Sequence, residues 1–467
     1  MNLLITRAEI AGRRNDVRLA GQHVVEIGPR LRPAPHEETV DAEGGALLPG
    51  LHDHHLHLLA LAAADRSVDL SLVDTRSNRV DAVLHDHDRR LPRGAWLRVI
   101  GYHERIAGPL DRAALDRLLP DRPLRVQHRS GGLWSLNSAG LARLGICDDT
   151  EDPAVERDPA GRVTGRLWRG DHLLRADAPT LPDLAPVSEQ LAAHGITGVT
   201  DATPDLDTRA LAHLTDAVRT ARLRQRLHLL GAPLDAEAPP VEGVSVGPYK
   251  IVVDNHELPP YDGLLSQVRR ARSAGRAVAL HCVTLEALAL ILAVLEEAGR
   301  WPGDRIEHAA VAPPLLLERL ASLRVAVVTQ PGFVAERGDD YLRDVAIADQ
   351  PFLYPYASAL AAGVRVAPAS DAPYASVDPW RTIRAAAGRQ STDGTVLGPG
   401  ERVPAGQALA GYLSAADDPG GKPRTVALGT AADLCLLQVP LREALRRPDT
   451  SHVRMTLAGG EPVWRRD

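Results

Sequence analysis

The sequence predicts an α/β protein, a (β/α)8 TIM barrel with a small β-sandwich domain built from both chain termini. The first observation is a regular alternation of short apolar strands and helical stretches from about residue 185 onward, which indicates parallel strands joined by helical crossovers. The second is that short strand-like runs separated by turn residues, as in a small antiparallel sheet, occupy both ends of the chain. With 467 residues, the chain can hold one barrel of about 250 residues or more and one small domain.

The barrel prediction depends on eight strands. The candidates are residues 51–57, 198–203, 226–232, 249–254, 277–281, 305–308, 325–330 and 364–371. Helical stretches such as 261–274 and 313–322 lie between them. Eight such units indicate a closed barrel, and barrels of this kind hold their chemistry at the carboxyl ends of the strands.

The two chain ends are predicted to form the second domain together. Residues 1–48 and 419–467 each contain too few strand-like runs for a stable sheet, so we expect them to pair. Residues 49–418 are then left for the barrel. A less regular stretch at about 66–185 is predicted to be an insertion after the first barrel strand.

Composition excludes several classes of function. Hydrophobic residues make up 44% and aromatic residues only 3%, so the core must be aliphatic, and the formal net charge of -6 argues against a nucleic-acid surface. No apolar run approaches the ~20 residues of a membrane span or resembles a secretory signal. Three cysteines are spaced for neither a disulfide framework nor a zinc knuckle, which favours the cytoplasm. The expected binding partner is a small-molecule substrate, and assembly into a homo-oligomer is left as an open alternative.

The stretch LLPGLHDHHLHL, residues 47–58, carries the strongest chemical signal. Alternate side chains of a strand share a face, so His55 and His57 are expected to point to the same side and to form half of a metal site. The alternative interpretation of an isolated pair of this kind is a polar strand end with hydrogen-bonded histidines.

A second pair with the same spacing, His85 and His87, is rejected as a metal pair. The stretch Val80–Arg90 is predicted to be helical. Residues two apart on a helix point in nearly opposite directions, so these imidazoles cannot share one ion.

Further chemically active residues lie at the ends of other predicted strands. Lys250 belongs to the fourth strand, His281 ends the fifth, His308 the sixth and Asp371 the eighth, at spacings of one or two βα units of about 30 residues. Singly, each has an ordinary explanation, such as a core histidine, a helix-capping aspartate or a lysine that reaches solvent. Their common position at the strand ends favours a metal centre.

These motifs resemble those of the amidohydrolase superfamily, and within it the branch that includes N-substituted formamide deformylase. The resemblance covers nearly the whole chain and rests on Pro49–His57, Asn137–Ser138, Gly195–Ala202, Lys250 with Asp254, His281, Glu307–His308, Ser370–Pro373 and Gly429–Leu434. Gly132 and Arg169 stand where this branch is expected to carry a histidine and a glutamate. The resemblance therefore implies the metal chemistry of the superfamily and leaves the substrate open.

The predicted cofactors are one or two divalent metal ions, with zinc favoured by the imidazole ligands. His55 and His57 would hold one ion, and His281 and His308 a second. Lys250 as an ammonium would repel both ions. Carboxylated by carbon dioxide, the same side chain becomes an anionic bridge between them.

Asp371 is the predicted catalytic residue, which would take a proton from a metal-activated water and deliver it to the leaving nitrogen. The predicted function is therefore hydrolysis of a non-peptide carbon–nitrogen bond in an amide, formamide or cyclic amide. The same metal barrel also supports ester or lactone hydrolysis, decarboxylation and isomerisation. A non-catalytic metal-binding module is the alternative from a different class.

Three more residues are predicted to contact the substrate. His103 and Arg129 lie in polar, glycine-containing segments of the insertion, and His256 lies in the loop after the fourth strand. Exposed surface loops are the alternative interpretation of these segments.

Overall fold

The computed structural model describes residues 2–72, 80–175, 180–237, 239–253 and 257–466, and the chain divides into two compact units. The first unit comprises Met1–Leu58 and Asp183–Asp467, and the second comprises Leu59–Pro182. The second unit overlaps the stretch for which the sequence predicts an insertion. Within the described ranges, every helix falls short of the length and apolar character that a membrane crossing requires.

The amino-terminal segment of the first unit consists of strands. They are β1 (Asn2–Ile10), β2 (Arg13–Ala20), β3 (His23–Gly28), β4 (Glu38–Asp41), β5 (Leu47–Pro49) and β6 (Leu51–Leu56). Strands β3, β2, β1 and β4 form one sheet in that order, in which β1 pairs antiparallel with β2 and parallel with β4. The sequence indicates an antiparallel sheet here, and the parallel β4 corrects that expectation.

The second unit is built on a six-stranded sheet. Its helices are α1 (Leu58–Ala64, which begins in the first unit), α2 (Val80–Arg90), α3 (Glu104–Ala107), α4 (Arg112–Leu118), α5 (Ser138–Leu144) and α6 (Asp171–Arg175). Its strands are β7 (Val68–Asp69), β8 (Leu97–Tyr102), β9 (Leu124–His128), β10 (Leu133–Leu136), β11 (Val155–Arg157) and β12 (Val163–Trp168). They lie in the order β11, β12, β10, β9, β8, β7. The sequence did not predict this sheet.

Parallel strands alternate with helices in the rest of the first unit. The strands are β13 (Ile196–Asp201), β14 (Arg226–Leu229), β15 (Val244–Val246), β16 (Tyr249–Val252), β17 (Val278–Cys282), β18 (Arg305–His308), β19 (Ala326–Thr329) and β20 (Val366–Pro368). The helices are α7 (Ala185–Ala193), α8 (Thr208–Arg219), α9 (Tyr261–Ser273), α10 (Leu285–Ala298), α11 (Pro314–Leu323), α12 (Pro331–Asp344), α13 (Tyr356–Ala361) and α14 (Pro379–Gly388). Each predicted barrel strand overlaps an observed strand.

These strands form two hydrogen-bonded parallel sheets. One contains β6, β13, β14 and β15, and the other contains β16 to β20 in sequence order. Among the described residues, the ladders do not join into one continuous eight-stranded sheet, and β15 is an additional strand that the sequence did not predict.

Local sequence explains where the crossover helices begin and which face they bury. Helix α8 begins after Asp207, whose side chain accepts a hydrogen bond from the backbone N–H of Ala210. Its buried residues, Ala210, Leu214 and Ala217, recur at the spacing of one helical face. Thr284 caps α10 in the same way. Each of these two helices therefore begins at a capping residue and buries an apolar face within the unit.

The carboxyl-terminal segment completes a second sheet. It contains α15 (Ala405–Tyr412), β21 (Leu434–Leu437), α16 (Leu441–Arg446), β22 (Val453–Ala458) and β23 (Glu461–Arg465). Strands β23, β22, β21 and β5 form this sheet, so Leu47–Pro49 pairs with the end of the chain. Buried side chains of both terminal sheets belong to one hydrophobic core, among them Leu3, Ile5, Val17, Leu434, Leu436 and Leu457. Strands from both chain ends thus pack around one core.

A leucine in this shared core provides a test of the packing. Leu436 is fully buried, and Leu436→Ala is expected to lower the free energy of unfolding by about 2–5 kcal/mol, because it removes apolar contacts and leaves a cavity. Leu428 is 64% exposed, and Leu428→Ala is expected to change the free energy of unfolding by less than about 0.5 kcal/mol. Urea denaturation of both variants measures the difference, and equal stabilities would contradict the shared core.

Candidate metal centre

The centre lies at the carboxyl ends of the parallel strands of the first unit. Nε2 of His55 is 3.4 Å and Nε2 of His57 is 3.2 Å from Oδ1 of Asp371, and Nδ1 of His308 is 3.9 Å from Oδ2 of the same carboxylate. His55, His308 and Asp371 are buried, and each offers one ligand atom within 4.8 Å of the other two. The structure therefore brings these four predicted residues together.

The remaining two predicted ligands belong to the same region. The ring centroid of His281 is 4.6 Å from that of His308. Lys250 is only 4% exposed, and its Nζ has no hydrogen-bond partner among the described residues. Burial lowers the pKa of Lys250 to about 8, although the carboxylates of Glu307 and Asp371 act in the opposite direction.

Two residues of the centre leave the extended backbone conformation. His308 has φ of 73° and Asp371 has φ of 57°, both in the left-handed region that few non-glycine residues adopt. Along a strand Glu307 and His308 would face opposite sides, yet both contact groups of the centre, because the chain turns at His308. Backbone conformations of this kind cluster at functional sites.

Backbone hydrogen bonds fix the position of Asp371 relative to β6. The N–H of Asp371 donates to the carbonyl of His55 at 2.8 Å, and the N–H of His57 donates to the carbonyl of Ala372 at 2.9 Å. Oδ1 of Asp53 accepts from the N–H groups of Ser370 and His55 at 3.1 and 3.2 Å. These contacts hold the end of β6 against the segment after β20.

Sequence reasoning missed the residues that hold the imidazole rings. Nδ1 of His55 bonds to the Glu307 carboxylate, Nδ1 of His57 lies 3.1 Å from the Thr203 hydroxyl, and Nδ1 of His308 lies 2.7 Å from Oε1 of Gln330. Glu307 directly precedes His308, and Thr203 and Gln330 are the last residues of two predicted strands, 198–203 and 325–330. This position at the ends of predicted strands was the signal in the sequence that could have identified them.

Electrostatics favour the protonation states that a metal centre requires. Burial, assisted by Lys250, lowers the pKa of His55 to about 3, and burial also lowers that of His308. Burial alone would raise the pKa of Asp371, but the neighbouring histidines outweigh it and hold the pKa well below its usual range. Neutral imidazoles beside an ionised carboxylate are the ligand forms of these groups.

These residues fit a divalent cation. Imidazole nitrogens and a carboxylate oxygen that converge in a buried region are the donor set that zinc accepts. The buried Nζ of Lys250 lacks a hydrogen-bond partner among the described residues, which is costly for a polar atom unless another group occupies the space beside it.

A second cluster of possible ligands lies in the second unit and consists of His103, Glu104 and His128. Nδ1 of His103 accepts from the N–H of Arg105, and Nδ1 of His128 accepts from the N–H of Ser130. The ring proton of each neutral imidazole therefore resides on Nε2, and Nε2 of His128 lies 3.3 Å from Glu104. This arrangement favours hydrogen bonds to the carboxylate over metal ligation.

The predicted substrate-binding residues remain predictions. His103 and Arg129 both belong to the second unit. His256 lies outside the described residues, as does Asp254.

A buried set of imidazoles and a carboxylate at the ends of parallel strands defines a candidate metal-dependent hydrolase of the α/β class. The amidohydrolase family model Amidohydro_3 matches residues 38–464, and the chain therefore belongs to the amidohydrolase family. The predicted resemblance to this superfamily is confirmed.

Individual relatives agree with this membership. The chain is 28% identical to N-substituted formamide deformylase of Arthrobacter pascens, over 90% of this chain and 89% of that protein. It is 27% identical to the putative amidohydrolase YtcJ of Bacillus subtilis (strain 168), over 77% and 76% of the two chains. An uncharacterized metal-dependent hydrolase from Pyrococcus horikoshii has a similar fold, with a TM-score of 0.74, 19% identity and coverage of 99% of both chains.

Proposed function

We propose that this amidohydrolase cleaves a non-peptide carbon–nitrogen bond in a small amide, formamide or cyclic amide. The observation that carries the proposal is the group of four histidines and Asp371, gathered at the strand ends. The similarity to a formamide deformylase over most of both chains supports the choice of bond. A cytoplasmic location and a small-molecule substrate belong to the same proposal.

His55, His57, His281 and His308 would hold one or two divalent cations, with zinc favoured by their nitrogen ligands. When bound, such a cation polarises a carbonyl and lowers the pKa of a water molecule. The four imidazoles are neutral ligands and leave the positive charge unbalanced. Lys250, carboxylated on Nζ, would supply an anion in their midst.

Asp371 is the proposed proton carrier. Its Oδ1 is near the Nε2 atoms of both His55 and His57, so the carboxylate faces the space that these imidazoles share. There it would accept a proton from the attacking water and deliver it to the leaving nitrogen. The histidine neighbours hold the pKa of Asp371 below its usual range, so the carboxylate is ionised at neutral pH, which is the form that can accept a proton.

The two parallel sheets are proposed to be arcs of one closed (β/α)8 barrel. The N–H of Lys250 on β16 donates to the carbonyl of Leu230, directly after β14, at 3.1 Å. At the other edge, the N–H of Asp371 after β20 donates to the carbonyl of His55 on β6. Bonds at both edges support closure, and closure would explain why strand ends from both sheets meet at one centre.

Replacement of Asp371 by asparagine tests the proposed reaction. With metal-loaded enzyme and a panel of formamides, amides, cyclic amides and esters, Asp371→Asn is expected to lower kcat by about 100-fold or more, the scale for loss of a general acid–base. Most of the bound metal should remain, because Asp371 is proposed mainly as the proton carrier. Steady-state kinetics and elemental analysis measure the two quantities.

The matched control is Asp393→Asn, which changes an exposed carboxylate and should leave kcat unchanged. Near-normal turnover in Asp371→Asn would contradict the proposed role. A wild-type enzyme that hydrolyses only the esters of this panel would contradict the proposed carbon–nitrogen bond.

A further inference from the structure

We infer that Glu307 is a positioning residue that fixes the His55 ring with Nε2 free to bind a metal ion. This inference rests on the proposed metal centre and extends it to a residue outside the predicted ligand set. Glu307 is fully buried on β18, and its carboxylate accepts a hydrogen bond from Nδ1 of His55 on β6.

The contact determines which ring nitrogen carries the proton. An ionised carboxylate can only accept hydrogen bonds, so the proton of the neutral His55 imidazole must reside on Nδ1. The lone pair of Nε2 is then on the edge of the ring opposite Glu307, and the Nε2 atom lies 3.4 Å from Oδ1 of Asp371. Glu307 thus selects the form of His55 that can bind a cation at the centre.

Arg305 keeps the Glu307 carboxylate ionised and in place. Its Nε donates to Oε1 of Glu307 at 2.6 Å and its Nη2 donates to Oε2 at 3.1 Å. The same Nη2 donates to the carbonyl of His54 at 2.6 Å. One buried guanidinium therefore ties the Glu307 side chain to the backbone of β6, next to the ring that Glu307 orients.

His55 differs from the other histidines of the centre in the charge of its partner. The partners of His57 and His308 are a neutral hydroxyl of Thr203 and a neutral amide of Gln330. A carboxylate partner increases the basicity of an imidazole ligand, and removal of such a partner typically costs about 10- to 100-fold in metal affinity. The loss of Glu307 should therefore weaken metal binding by this factor.

The experiment must separate this role from a simpler one, in which Glu307 only balances the positive charge of Arg305. Zinc dissociation constants are measured by chelator competition for the wild type, Glu307→Gln, the double variant Arg305→Met with Glu307→Gln, and Glu401→Gln. The last variant changes a buried glutamate that bonds to Ser358 instead of a histidine. Visible absorption of the cobalt-loaded proteins reports the geometry of the ligands.

Glu307→Gln and the double variant are both expected to bind zinc about 10- to 100-fold more weakly and to show an altered cobalt spectrum. Glu401→Gln should match the wild type in both respects. Wild-type affinity in Glu307→Gln would overturn the inference, because Glu307 would then be unnecessary for metal binding. Restored affinity in the double variant would also overturn it, because the weaker binding of Glu307→Gln would then come from the unpaired charge of Arg305. If Glu307→Gln does not fold, the double variant decides alone. A wild-type protein that binds no divalent cation would instead refute the proposed centre.

Discussion

His55→Ala is expected to remove at least one equivalent of divalent metal from the purified protein. The ring of His55 is nearly fully buried between Glu307 and Asp371, and neither neighbour can replace its Nε2 as a neutral nitrogen ligand. Loss of one ligand from a set of this size exposes the ion to exchange with water and chelators. Elemental analysis of the purified variant, relative to protein concentration, measures the change.

The matched control is His85→Ala, which should leave the metal content unchanged. His85 and His87 lie on α2, and their Nδ1 atoms bond to the carbonyls of Asp81 and Val83 at 2.7 and 3.0 Å. Each ring is therefore hydrogen-bonded to its own helix. Equal metal content in the wild type and in His55→Ala would contradict the central claim that these strand ends bind metal.

Periodicity in the sequence was sufficient to locate the parallel strands of the first unit. The observed strand Ile196–Asp201, for example, begins two residues before the predicted one, because six consecutive buried residues give no sharp edge to the apolar run. The sheet of the second unit was missed, since its strands contain arginines, as in Leu97–Tyr102 and Leu124–His128. Alternating burial along Val163–Trp168 shows that a period of two was nevertheless present.

The candidate site could be predicted as far as residue type and strand position define it. The contact of Glu307 with His55 could not, because it joins residues 252 positions apart on strands of different sheets. Strand alternation would also place Glu307 and His308 on opposite faces, whereas the backbone at His308 is left-handed and both side chains contact the centre. Such features depend on tertiary structure and leave no local pattern.

The use of lysine in this chain gives Lys250 particular weight. Lysine and arginine together number 54, yet the only other lysine in the sequence is Lys422, which is exposed. Arginine thus supplies nearly every positively charged side chain, whereas the buried strand position beside Glu307 and Asp371 is occupied by a lysine. A primary amine can form a bond to carbon dioxide, whereas an arginine guanidinium stays protonated. The neutral Nζ would attack the carbon of carbon dioxide, lose a proton and become a carbamate.

Lys250→Ala is therefore expected to lose both bound metal and activity, and a short carboxylic acid such as formate or propionate should partly restore both. The added carboxylate would occupy the vacated space and supply the missing anion between the histidines. Carbon-13 NMR of metal-loaded protein equilibrated with labelled bicarbonate should show one protein-bound carbamate resonance, which Lys422→Ala retains and Lys250→Ala abolishes. Full metal content and activity in Lys250→Ala, or a wild-type protein with both metal and turnover but no carbamate resonance, would contradict carboxylation and favour a centre in which Asp371 supplies the anionic ligand.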